Sequence, residues 1–242
     1  MTDSRITGVH AVVTGATSGI GRAIAVALAK RSAHVLMVGR DVERTKAVRA
    51  ELEALSPGHL ELAGDLTNDA SLASLAERAT HWSGGKLGLL VLCAGHHEPA
   101  TVEGTSAASF DAAIATNLRA PFLLTAALLP ALRAARGMVV VVNSSVVNGP
   151  RPGVAAYAAS KAGLRVFADC LRTEVNSDGI KVLSIFPGRT ATPMQRDRYE
   201  REGLEYHPER LMQPEDVADA VLNAFGSSVE VTEIHLRPMH KV

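Results

Sequence analysis

Tyr157 and Lys161 stand four residues apart in Tyr157-Ala158-Ala159-Ser160-Lys161, the spacing that brings two side chains together on one helix face. A free phenol ionises near pH ~10 and is a poor base at neutrality. An ammonium one turn away favours the phenolate. Bringing its ionisation to neutrality takes about 4 kcal/mol, within reach of close charges in a partly dry site. Such a phenol can give a proton to a carbonyl oxygen or take one from an alcohol. A YxxxK pair often arises by chance, so its company matters. Ser144-Ser145 follow the valines of 139–142 and Asn143. A hydroxyl at that strand end can hydrogen-bond a substrate oxygen as negative charge grows on it. Asn117 falls inside a long helical pattern, where Asn has poor propensity. It reads as holding a structural water or proton path, or as a satisfied polar surface position.

Thr14-Gly15-Ala16-Thr17-Ser18-Gly19-Ile20-Gly21 joins a strand-like run to a helical pattern. Glycines there let the backbone approach a pyrophosphate without a Cβ clash, and the helix N-terminus offers unpaired N–H groups. Many loops carry three glycines; the place between strand and helix makes this one a dinucleotide cradle. In such folds the end of the second strand faces the adenosine ribose, where an acid takes the 2′-OH and an arginine the 2′-phosphate. Here Val38-Gly39-Arg40-Asp41 puts Gly39 where the acid would stand and Arg40 after it. A guanidinium holds phosphate bidentately and stacks on adenine, so NADP(H) is the expected cofactor. The alternative is that Arg40 only solvates a loop. Asp41 is expected to cap the next helix.

Seven short β-branched runs supply the frame, at 9–14, 34–38, 60–64, 89–93, 138–143, 180–186 and 229–236. Helical periods separate them at 19–31, 41–55, 69–81, 107–135, 155–177 and 214–224. This alternation predicts an α/β fold with a doubly wound, parallel, seven-stranded, Rossmann-like sheet and helices on both faces. No linker or repeat breaks the pattern, so residues 1–242 are expected to form one unit. The polar connection 187–213 is long, and its part at about 190–212 reads as a lid.

Lys plus Arg and Asp plus Glu both count 25. That balance gives no pull toward nucleic acid or an anionic membrane. No metal-ligand spacing appears, and Cys93 and Cys170, each in an apolar segment, are expected as two buried thiols. Residues 1–8 show no secretory signal, and no apolar run is expected to span a membrane. A cytoplasmic protein acting on a small molecule is the reading.

Taken together, the TGxxxGxG form of 14–21 and the set Asn117, Ser144, Tyr157 and Lys161 resemble the single-domain branch of the short-chain dehydrogenase/reductase family. The resemblance runs from Thr14 to the last strand. It implies hydride transfer between nicotinamide C4 and a carbonyl or alcohol, with Ser and Tyr holding the substrate oxygen. It also implies that Lys161 binds the nicotinamide ribose and Asn117 holds a relay water. Cofactor contacts are implied at Thr14, Gly15, Thr17, Ser18, Gly19, Ile20, Gly21 and Arg40. Asp65 and Leu66 would reach the adenine, although Asp65 also reads as a helix-capping acid. Ala94 and Gly95 would follow along the cofactor, and Pro187, Gly188, Thr190 and Thr192, similar to the family's PGxxxT stretch, would meet the nicotinamide end. The family's spacing of 13 residues before the tyrosine selects Ser144, whereas the second serine of such a pair, Ser145, is the usual choice. Leu92-Cys93-Ala94-Gly95 departs from the family's NNAG. Ala/Leu-rich helices at 107–135 and 155–177 resemble the family's paired-helix interfaces, so a homodimer or homotetramer is expected.

His96 and His97 read as exposed loop histidines, or as lining a substrate entrance. Met194, Met212, Tyr199 and Tyr206 form an apolar wall or ordinary lid packing. The lid's arginines are offset by Glu200, Glu202, Glu205 and Glu209, so an anionic substrate does not follow. The ending Glu233-Ile234-His235-Leu236-Arg237-Pro238 looks like that of NADP-dependent members acting on 3-hydroxy acids, a likeness that does not fix the substrate. Two other functions fit the same residues: an NADPH-binding regulatory protein without turnover, and a lyase or epimerase on this scaffold.

Overall fold

Near-continuous aliphatic runs form seven strands in a computed structural model of the chain: β1 (His10–Thr14), β2 (His34–Gly39), β3 (Leu60–Ala63), β4 (Leu89–Leu92), β5 (Met138–Val142), β6 (Lys181–Pro187) and β7 (Glu233–Leu236). The structure describes residues 5–239. The ends of the expected unit 1–242, and half of the segment 1–8 read for a leader, lie outside the described residues. Neighbouring strands are all parallel, in the order β3-β2-β1-β4-β5-β6-β7. Sheet growth reverses between β1 and β4, and a crevice at the carboxyl ends follows from that reversal.

Helices α1 (Gly19–Ala29), α2 (Val42–Glu53), α3 (Asp69–Trp82), α4 (Ala107–Ile114), α5 (Ala120–Ala135), α6 (Ala155–Val175), α7 (Pro193–Arg201) and α8 (Pro214–Gly226) connect the strands. Ile24 and Leu28 of α1 and Val217 and Val221 of α8 share one core with Met138, Val140 and Val142. Leu72 of α3, Leu128 of α5 and Leu164 of α6 share the other with Val139 and Val141. Burial of both faces explains why β5 reads as unbroken valines and not as an alternation.

The expected continuous helix at 107–135 is broken by a π-helical turn at Ala115–Arg119, where the Ala120 N–H bonds the Ala115 carbonyl. In an α-helix the carbonyl of Asn117 would accept from residue 121, which is Pro121 and has no N–H. The predicted last strand, from 229, shortens to β7. The long connection is structured: Thr192 caps α7 by accepting from Gln195 N at 3.3 Å. The cysteine expectation is corrected, since Cys93 is only half-buried and Cys170, on the outer side of α6, is exposed. The helical stretch Ala107–Ala135 has the length and apolarity of a membrane span. Its hydropathy has another source, because Leu124, Leu128, Ala131 and Leu132 pack into the core.

Candidate active site

Asn143 fixes the end of β5 to α6. Its Oδ1 accepts from Ser144 N at 2.9 Å and its Nδ2 donates to the Lys161 carbonyl at 3.1 Å. Ser144 thereby points toward the first turn of α6, and its hydroxyl is close enough to the Tyr157 phenol to favour the phenolate. Ser144 Oγ also accepts from Val146 N at 3.2 Å. Ser145 instead opens a 3-10 turn, Ser145–Asn148. One turn beyond Tyr157, the buried Lys161 donates from Nζ to the Val142 carbonyl at 2.8 Å and lies 5.9 Å from the Tyr157 ring centroid.

The electrostatics differ from expectation. Burial pushes the Tyr157 phenol up, while the Ser144 hydroxyl and the Arg151 charge pull the other way. The expected net lowering by Lys161 is not found: loss of solvation for a phenolate sets the direction, and the charge that opposes it comes from Arg151. Burial also pushes Lys161 down to about 8 and the Cys93 thiol up to about 12, which leaves Cys93 an inert neighbour.

Asn117 is fully buried, not at the surface. Its Oδ1 accepts from His96 N at 2.7 Å, and its Nδ2 donates to the His96 carbonyl at 2.8 Å and to Ser160 Oγ at 2.9 Å. Ser160 Oγ donates in turn to the Tyr157 carbonyl at 2.7 Å. The side chain of Asn117 thus braces the β4 loop against α6.

The cradle lies across the crevice. Gly15 has φ +65°, and a Cβ there would meet the Ala94 Cα at 2.8 Å, so only glycine lets β1 and the β4 loop approach this closely. Ser18, ahead of α1, makes no side-chain cap, and the first turn of α1 carries no acid. Its N–H groups are left for an anion in the cleft. At the other end, a Cβ on Gly39 would meet Thr17 Cγ2 at 2.5 Å, so an acid would fit there only with Thr17 displaced. Arg40 is exposed on the cleft wall, and Asp41 caps α2 by accepting from Arg44 N at 3.0 Å.

A cleft of about 350 Å³ brings together Gly15, Thr17, Ser18, Gly19, Ile20, Gly21, Arg40, Asp65, Leu66, Ala94, Gly95, Tyr157, Lys161 and Thr192. Ser144, Pro187, Gly188 and Thr190 line an adjoining cavity that shares Tyr157 and Thr192. Thr14 and Asn117 do not line the cleft. Thr14 is buried behind the cleft, its Oγ1 accepting from Cys93 N and Ala94 N at 2.9 and 3.1 Å and donating to the Val91 carbonyl at 3.2 Å. Asn117 lies behind the loop it braces. Asp65 does not cap α3, a task that falls to Asn68; it accepts instead from Thr67 N and Oγ1 at 2.9 and 2.8 Å.

His96 and His97 are not exposed. His96 lines the cleft and His97 the adjoining cavity, because Asn117 pulls their backbone inward. Met194 lines both spaces, whereas Met212 is core and Tyr199 packs on Tyr206 at 5.6 Å. Sequence reading missed Arg44, Asn143 and Ser160. Arg44 follows Arg40 by one helical turn, which was the available signal. Asn143 and Ser160 were visible only as neighbours of the serine pair and of Lys161.

A parallel sheet in this order, with a glycine cradle facing a Ser–Tyr–Lys group, defines a nucleotide-binding oxidoreductase. The chain belongs to the short-chain dehydrogenase family, whose pattern, described as short chain dehydrogenase, matches residues 9–203. It is 29% identical over 240 residues to a glycine betaine reductase of Emericella nidulans, covering 96% of this chain but 19% of that protein. A metagenomic short-chain oxidoreductase solved in complex with NADP shares 31% identity at a TM-score of 0.84, covering 98% of this chain and 100% of that one. A 7 alpha-hydroxysteroid dehydrogenase solved with NADH and 7-oxo glycochenodeoxycholic acid shares 26% identity at a TM-score of 0.88, covering 98% and 96%.

Proposed function

We propose that this chain moves a hydride between NADP(H) and the carbonyl or secondary alcohol of a small molecule, with Tyr157 as the proton donor or acceptor. The observation that carries the reading is Tyr157, shared by the cleft and the adjoining cavity, with Lys161 Nζ 5.9 Å from its ring on one side and Ser144 on the other. The backbone likeness does not choose the cofactor, since similar structures hold NADP in one case and NADH in another. Gly39 and Arg40 favour the 2′-phosphate, with Arg44 a second cation on the same wall.

When bound, the nicotinamide supplies or takes the hydride. In reduction, the Tyr157 Oη, kept protonated by burial, donates to the substrate oxygen while Ser144 Oγ hydrogen-bonds it. Lys161 sets a positive charge beside the phenol and favours its anion in the opposite direction. With the Asn117 side chain committed to His96 and Ser160, its part in a water relay falls to its main-chain carbonyl, which Pro121 leaves without an i+4 donor. The test is a panel of ketones, aldehydes and keto acids assayed with both NADPH and NADH. Cofactor oxidation by NADPH in preference to NADH supports the reading. Tight binding of NADPH without turnover points to a regulatory protein, and conversion without net cofactor consumption points to a lyase or epimerase.

A further inference from the structure

The cavity beside Ser144 and Tyr157 has about 130 Å³ of space, and its lining is cationic: Arg151, Arg189 and Arg198 all belong to it. The acids of the lid do not cancel this charge. Glu205 and Glu209 flank His207, at 3.3 and 3.2 Å, and Glu200 is exposed on α7. Arg189 Nη1 donates to the Tyr199 hydroxyl at 3.2 Å. Glu202 grips Arg198, with Nε at 2.7 Å and Nη2 at 3.0 Å. That fork leaves the third nitrogen, Arg198 Nη1, buried and without a hydrogen-bond partner. Gln195 Nε2, one turn earlier on α7 and lining the same cavity, is also buried without a partner. Both atoms can only donate, and buried donors are ordinarily matched by an acceptor.

A group made only of acceptors, and negatively charged, satisfies them together. We infer that the substrate carries a carboxylate, held by Arg198 and Gln195 with Arg151 beside them, in the cavity that Ser144 and Tyr157 also line. The enzyme is then specific for a short keto or hydroxy acid, and Arg198 is its specificity residue. This rests on the hydride-transfer reading above and adds the class of substrate. The same field acts on His97, which Arg198 and Arg151 help hold neutral. A neutral imidazole adds an apolar ring face to the cavity and does not compete for the anion.

The experiment pairs each of a series of short keto acids with its methyl ester, an uncharged analogue, and measures kcat/KM with NADPH. In parallel, binding of the corresponding saturated carboxylates to the enzyme–NADP complex is followed by ligand-observed NMR. The expected wild-type preference is for acid over ester. In Arg198→Gln that ratio should fall roughly 10- to 100-fold, the range for losing a hydrogen bond to a charged group, while Arg198→Lys should keep part of it. Arg151→Gln, which leaves the α7 ion pair intact, should lower the ratio in the same sense. NADPH affinity, read by fluorescence, should stay within about threefold in each variant, less than one charged hydrogen bond is worth. Equal use of acid and ester by the wild type overturns the inference and leaves the hydride-transfer reading standing. A large loss of NADPH affinity in Arg198→Gln reassigns the arginine to the cofactor and also overturns it. If no carbonyl compound is reduced, the functional reading fails. Carboxylate binding lost in Arg198→Gln then still supports the anion site, and its absence from the wild type refutes it.

Discussion

The His97 imidazole lies against the Tyr157 ring, with centroids 4.6 Å apart and planes inclined at 41°. Burial, followed by the charges of Arg198 and Arg151, pushes His97 down to about 4. The folded protein therefore binds fewer protons here than the unfolded chain between about pH 4 and the ordinary imidazole value of 6.5. Stability from this group is present above that window and lost as pH falls through it. The His97 C–H resonances should titrate near pH 4, and His97→Gln should flatten the dependence of Tm on pH between 4 and 6.5. A midpoint at the ordinary value would place the ring in water, away from Tyr157.

Lys161 gives the same sign at the alkaline end. Burial lowers it from 10.5 to about 8, so stability should rise with pH through that interval as the ammonium is released. Lys161→Met should abolish the rise. It should also weaken cofactor binding and shift the alcohol-oxidation limb to higher pH, since a cation beside the phenol is gone. Differential scanning fluorimetry from pH 7 to 11 reads the first effect, and pH–rate profiles the second.

Tyr157→Phe removes the hydroxyl and keeps the ring that packs on His97. Turnover should fall by about 10²- to 10⁴-fold, the usual worth of a positioned acid or base, with NADPH affinity and Tm nearly unchanged. Single-turnover kinetics should show the loss in the chemical step. Near wild-type turnover would exclude Tyr157 from proton transfer.

The two serines should separate. Ser144, which lines the same cavity as Tyr157, should lose about 10²- to 10³-fold in kcat on change to alanine, as for loss of a donor to a developing oxyanion. Ser145→Ala should cost far less. The reverse order would move the role one residue along the chain.

Arg40→Ala should weaken NADPH by about 1.5–3 kcal/mol, the range for hydrogen bonds to charged groups, and NADH much less. Retention of Arg44 on the same wall places the loss toward the lower end. Gly39→Asp, the obvious route to NADH use, should bind both cofactors poorly unless Thr17 is also trimmed, because the new Cβ meets Thr17 Cγ2 at 2.5 Å. Isothermal titration with both cofactors tests the two variants together.

Most of the frame was legible because burial on both faces writes unbroken aliphatic strands and periodic helices into the sequence. The cradle and the Tyr157–Lys161 pair were legible for a related reason: backbone approach demands glycine, and helix geometry fixes i, i+4. What was hidden depends on contacts distant in sequence. Asn117 looked like a misfit in a straight helix. Its burial follows from the π turn that Pro121 favours and from bonds to His96 and Ser160. The phenol's upward shift depends on how completely the folded chain excludes water, a quantity that spacing does not contain. Counting lid charges likewise says nothing of their pairing: Glu205 and Glu209 turn to His207, and Glu202 to Arg198.

The lid is joined to the sheet at a narrow base. Ala191 N bonds the Met212 carbonyl at 2.8 Å and Met212 N bonds the Arg189 carbonyl at 3.1 Å. Thr190 and Met212 thereby form a parallel bridge that closes the segment into a loop with its own helix. Everything between those bonds is a cassette. Its two ends are held at a fixed separation, and Thr192, Pro193 and Met194 line the cleft beside the glycine cradle, so only the part beyond Met194 can change without touching the cradle. For engineering, this makes 195–211 the natural unit to transplant: a foreign segment spliced there would bring a new clientele while Thr192 stays against the cradle.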